Sequence, residues 1–150
     1  MNKKYQIPAA IAFLIGTASL IPVAAFAQAQ SSIMLRLMDA TARTGLPGYT
    51  RISNVRARTG MLESSREIEL SFRLRKGQKY GFVAVGDNNA TDVDVRIQDQ
   101  NGQVIELDDD DDATAYIPYT AEENGIYDVV VTMYNCENSE CAYALGAYKK

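Results

Sequence analysis

The chain has 150 residues, two cysteines, no histidine and a formal net charge of −4. That length builds one domain with a real core, and 47% apolar against 23% charged residues is a globular composition rather than a disordered one. Without histidine there is no Ser-His-Asp or Cys-His catalysis and no His-ligated metal, and two cysteines cannot make a four-thiolate zinc site.

Residues 1–27 read as a secretory signal peptide. Lys3 and Lys4 form a charged start, Ile7 to Val23 an apolar run, and Ala25-Phe26-Ala27 a small-residue cleavage site before Gln28. The run is almost long enough to serve as an uncleaved anchor, but Pro22 and the Ala-X-Ala ending favour cleavage near Ala27. No cysteine lies near the cut, which argues against a lipid anchor. The expected location is the periplasm or the outside of a bacterial cell.

Loss of Lys3 and Lys4 leaves a net charge of −6, unevenly spread. Gln28–Tyr80 holds ten basic and four acidic residues; Gly81–Lys150 holds three basic and fifteen acidic ones. Such polarity can steer partners, although a sandwich interleaves its strands and is expected to mix the two charges. The acidic total argues against nucleic acid as a partner.

Three segments are expected: the signal peptide, a helical segment over 28–48, and a β-sandwich domain over 49–150. The helix is predicted from Ser31 to about Arg43. Ser31 or Ser32 would cap it, and Met34, Leu35, Leu37, Met38 and Ala42 would form its apolar side. Gly45, Pro47 and Gly48 end it.

The rest reads as strands. Arg66–Arg75 alternates, with Ile68, Leu70, Phe72 and Leu74 on one face, and Lys79–Val85 is a more apolar strand. Asp92–Gln98 alternates again, Asp99–Gly102 turns, and Gln103–Leu107 returns. Asp108–Asp112 is an aspartate loop. Ala113–Tyr119 carries Pro118 and is confined to an edge or a bulge. A strong strand follows through Tyr127, Val129, Val131 and Met133, and Ala142–Tyr148 is the last. Six or seven short strands with frequent turns argue for a β-sandwich or barrel, and no helical periods between them support a parallel sheet.

Three features could carry function. Cys136 and Cys141 lie between the last two strands, and in an oxidising compartment a disulfide is expected, closing a small hairpin loop and fixing its register. A redox pair is less suited, because Glu137 and Glu140 raise thiol pKa. Asp92, Asp94, Asp108, Asp110 and Asp112 are the candidate calcium ligands, since calcium takes six to eight oxygens. The turn at Asp99–Gly102 brings Asp94 and the aspartate loop to one end of the sheet. The spacing is not that of an EF-hand, and a solvated acidic loop is the competing reading. Tyr116, Tyr119, Tyr127, Tyr134, Tyr143 and Tyr148 crowd the last third. Tyr127 is expected in the core and the others at sheet rims. Paired carboxylates would also suit a glycosidase, but the chain has no Trp for an aromatic cleft.

Gly77 with Tyr80, Asp92 and Asp94, Asn101-Gly102, and Gly125 with Tyr127 follow one another in an order that resembles bacterial pre-peptidase C-terminal domains. The likeness spans about Leu70–Tyr148, roughly half the chain. The Cys136–Cys141 pair is similar to that of small stand-alone exported relatives. The resemblance implies an all-β fold, a jelly-roll-like antiparallel β-sandwich, here with a short N-terminal helix. It also implies an accessory or substrate-binding role, with calcium in some members. No attached protease is expected here, and only Asp92 and Asp94 fall on the shared motif.

The expected function is therefore an exported non-enzymatic binding or accessory module with a protein or polysaccharide partner, calcium being its one candidate cofactor. The alternative is a periplasmic inhibitor or assembly subunit that makes contact through the helix and the basic N-terminal half. A contiguous exposed apolar patch on the helix would favour this alternative.

Overall fold

The computed structural model describes residues 23–150. Most of the expected signal peptide, residues 1–22, lies outside them. The first element is helix α1, Val23–Gly45, longer at its N-terminal end than the capping pattern implies. Ser31 and Ser32 sit inside it rather than at its start. The stretch before them is alanine and glutamine, which are strong helix formers and carry the helix past the expected caps. The Ser32 hydroxyl instead donates back to the Ala29 carbonyl at 2.8 Å.

Nine strands follow: β1 (Thr50–Arg51), β2 (Arg58–Leu62), β3 (Arg66–Leu74), β4 (Lys79–Gly86), β5 (Ala90–Gln98), β6 (Val104–Asp108), β7 (Thr114–Thr120), β8 (Gly125–Cys136) and β9 (Cys141–Lys149). β1 and β2 have no apolar alternation and escape a reading by pattern. All pairings are antiparallel. One sheet runs β1-β9-β4-β7, with β2 also on β9; the other runs β3-β8-β5-β6. The result is a jelly-roll-like β-sandwich. β7 borders its sheet and carries Pro118 opposite Gly81, so the missing N–H costs no ladder bond on a central strand.

The core between the sheets includes Phe82, Val93, Val95, Ile97, Val129, Val131, Met133 and Leu145. A second apolar cluster lies on the outer side of the first sheet. There Met34, Met38, Ala42 and Leu46 meet Val83, Val85, Ala142, Ala144 and Tyr148. This explains why β4 and β9 are apolar on both faces while β3 and β5 alternate: the helix covers one face of the former pair, and the opposing sheet covers the other. Leu37, expected on the buried side, is exposed; the buried stripe is Met34, Met38 and Ala42, at four-residue steps.

The helix sits close because glycines lie beneath it. A Cβ at Gly146 would stand 2.6 Å from the Met38 sulfur, and one at Gly81 would overlap Leu46. Each large apolar side chain buried there contributes about 1.5–3 kcal/mol.

Cys136 and Cys141 are joined in a disulfide, with Cα atoms 5.9 Å apart. Its role differs from the expected one. β8 and β9 belong to different sheets, so the bond ties the two layers at a corner and fixes no hairpin register. Asp87 closes the same corner. Its carboxylate accepts from the Asn89 and Ala142 amides, at 3.0 and 2.9 Å.

Candidate functional site: a cationic groove and an acidic edge

The segment between β1 and β2 crosses beside the N-terminal half of α1. Its path is fixed at Ile52, whose amide donates to the Ala147 carbonyl, and by a turn in which Val55 donates to Ile52. Ile52 and Val55 pack into the core, which leaves Ser53, Asn54 and Arg56 pointing outward. Between this segment and the helix is a groove of about 940 Å³. Ala27, Gln28, Ser31, Ser32 and Leu35 form the helical wall; Arg51 to Ala57 and Thr59 form the other. The Thr59 hydroxyl donates to Ser31 across it at 3.3 Å.

No carboxylate lines this groove, and Arg51 and Arg56 do. Arg51 is engaged: it pairs with Asp39 at 3.3 Å, and Asp39 also accepts from the Tyr148 hydroxyl at 2.8 Å. Burial and that carboxylate push the Tyr148 phenol well above its usual range, so it stays protonated as a donor. This network pins α1 to β1 and β9. Arg56 is exposed, and among the described residues it is in no ion pair. Sequence reasoning pointed to the basic N-terminal half but not to this groove, because β1, β2 and their connection carry no local signature.

The acidic residues gather at the opposite edge, where β6 of one sheet passes to β7 of the other. The strands of the two halves interleave, as expected, and their charges meet in pairs such as Arg96 with Glu67 at 2.9 Å, while the aspartate run stands apart from the groove. As the hairpin predicted, Asp94 and the loop come together. Val95 stands opposite Asp108, and the Val93 amide donates to the Asp112 carbonyl. The turn forms around Asp99, whose carboxylate accepts from the Asn101 and Gln103 amides. Those bonds, Gln103 first, hold its pKa below the ordinary value.

The five candidate calcium ligands do different things. Asp108 ends β6, and its carboxylate accepts from the Tyr116 amide at 2.8 Å. Asp112 accepts from the amide and hydroxyl of Thr114. Asp110 is exposed. Asp92 and Asp94 face the loop. Burial pushes the Asp94 pKa up to about 6, with the charges of Asp92, Asp109 and Asp108 adding to it. Burial and then Asp111 raise that of Asp92, whose Oδ1 is enclosed without a partner. Among the described residues no three His, Cys, Asp or Glu side chains are gathered as a metal-holding group.

The tyrosines divide. Tyr116 and Tyr134 are exposed and Tyr127 is in the core, but Tyr143 and Tyr148 are also buried rather than at rims. Tyr119 packs on Tyr127, ring centres 5.7 Å apart. Burial and the Tyr127 hydroxyl push its pKa up to about 12.

No family model and no curated protein matches the chain. Three solved structures are similar in part. One is PliG, a periplasmic inhibitor of g-type lysozyme from Aeromonas hydrophila, with a TM-score of 0.47 and 15% identity over 63% of this chain and 85% of that one. Another is the Yersinia pseudotuberculosis-derived mitogen, with a TM-score of 0.48 and 16% identity over 64% and 86%. The third is the CBM22-1 xylan-binding domain of Paenibacillus barcinonensis Xyn10C, with a TM-score of 0.26 and 10% identity over 69% and 85%. Among the described residues no helix is long and apolar enough to cross a membrane.

Proposed function

We propose that this chain is an exported, non-enzymatic binding module whose working surface is the groove between α1 and the β1–β2 segment. Its partner is a protein or polysaccharide that presents negative charge and hydrogen-bonding groups. The observation that carries this reading is the groove itself: about 940 Å³, polar walls, Arg56 at its rim and no carboxylate in its lining. An inhibitor or assembly subunit would make its contact through α1, which forms one wall of this groove. Cleavage near Ala27 would leave the walls from Gln28 onward in place. The buried disulfide fits an oxidising compartment, and the sandwich suits the resemblance to pre-peptidase C-terminal domains.

Two probes separate the partner classes. Poly-L-glutamate and polygalacturonate are titrated separately into isotope-labelled protein, and amide shifts are followed by NMR. The expected result is perturbation of Gln28, Ser31, Asn54 and Arg56 by one polymer, weakened about tenfold in Arg56→Glu, as removal of a charge-assisted contact predicts. Silence at those amides with both polymers removes the groove as the site.

The second reading concerns the acidic edge. The raised pKa of Asp94 and the partnerless Asp92 oxygen support calcium there, drawn by Asp92, Asp94, Asp108, Asp110 and Asp112, since a dication offsets their mutual repulsion. A thermal melt in EDTA, in millimolar calcium and in magnesium tests it. A rise in Tm specific to calcium supports the site by linkage, and equal melts return the loop to a solvated one.

A further inference from the structure

The outward side of α1 carries large apolar side chains that the fold does not cover. Phe26, Ile33 and Leu37 are 61%, 64% and 38% exposed. Their seven- and four-residue steps place them on one stripe of the helix. Arg36 and Arg43, both exposed and seven residues apart, run beside that stripe. Among the described residues neither is in an ion pair. The one acidic residue of α1, Asp39, is held by Arg51 and Tyr148. The exposed side of the helix thus offers apolar groups and positive charge with no free carboxylate.

Charge decides what can cover it. A second copy of this chain, packed on the same stripe, would set Arg36 and Arg43 against identical cations with no carboxylate to answer them. An anionic lipid surface answers both features: the apolar side chains enter the headgroup boundary, and the guanidinium groups meet phosphates. We propose that the outward face of α1 lies flat on an anionic lipid surface. After cleavage at Ala27 it keeps Ile33, Leu37, Arg36 and Arg43, so the attachment is peripheral and reversible. This surface is distinct from the groove and does not depend on it.

The test is flotation of the protein recovered from the exported fraction, with vesicles of phosphatidylcholine alone or with one quarter phosphatidylglycerol. The expected result is co-flotation with the anionic vesicles only. The pair Arg36→Glu with Arg43→Glu weakens it about tenfold or more, since each basic residue near an anionic surface adds attraction. Ile33→Asn with Leu37→Asn weakens it severalfold. All four positions are exposed, and an unchanged melt confirms that the variants fold. Arg73→Glu, exposed on β3, leaves flotation unchanged. The proposal is overturned if the wild type ignores anionic vesicles, floats equally with both lipids, or floats undiminished in both double variants. Shifts of the α1 amides by an acidic amphipathic peptide, without vesicle binding, would also overturn it, in favour of a helical protein partner.

Discussion

Asp94 keeps its proton to about pH 6 in the fold, against 3.8 for the ordinary carboxyl. The folded form therefore binds more protons than the unfolded chain between those values. Stability from this group is fully present below pH 3.8 and is lost as pH rises through 6. The cause is local: β5 half-buries the carboxyl beside a loop of like charges. Asp94→Asn removes this partly buried charge, so the variant is expected to melt slightly higher than wild type at pH 7, solvent screening keeping the gain small, and to lose the downward slope between pH 4 and 7. Melting curves across that range check it. A variant with the wild-type slope would place the proton elsewhere. Asp108 and Asp112 contribute differently, because each holds a backbone amide of β7. Five consecutive aspartates look equivalent in sequence, and only the turn geometry separates those that cap from those that repel.

The elements show which patterns carry information. The alternation of β3, β5 and β8 predicts both the strands and their inward faces, because one side chain in two meets the core. Pro118 marks β7 as a border strand for the reason given by its missing donor. The length of α1 was less legible: two serines look like caps, yet the alanines before them propagate the helix. β1 and β2 were not legible at all, since their place is set by β9, a partner far along the chain. That is also why the groove they help to form escaped the sequence, while the acidic edge, built from a hairpin and a local run, did not. The helix is held by few residues. Met38 is wholly buried over Gly146, and Met38→Ala is expected to cost about 3 kcal/mol in urea unfolding. If the helix were only loosely docked, the loss would be near zero. The disulfide corner ties the two sheets to each other. Replacing Cys136 and Cys141 by Ser is expected to cost about 2 kcal/mol for so short a loop, read from the same unfolding curves.

On the scale of the molecule, the groove beside α1 is lined by Arg51 and Arg56 with no carboxylate, while the aspartate run lies where β6 hands over to β7. A domain of net negative charge can thus present a local cationic groove. Binding of an anionic polymer at that face is expected to weaken markedly between 50 and 500 mM salt, because Arg56 and its neighbours are exposed and screened. Titrations at the two ionic strengths check it, and salt-independent binding would assign the interaction to apolar contacts instead.

Tyr148 and Asp39, whose side chains meet under the helix, are 109 residues apart in the chain. Half the floor of α1, Ala142, Ala144 and Tyr148, is missing until β9 has been made, and β9 in turn aligns β1, β2 and β4. During synthesis the first element must wait for the last, and contacts of such long range form slowly. A chain emerging from the ribosome thus leaves its first helix partly undocked until its last strand has been made.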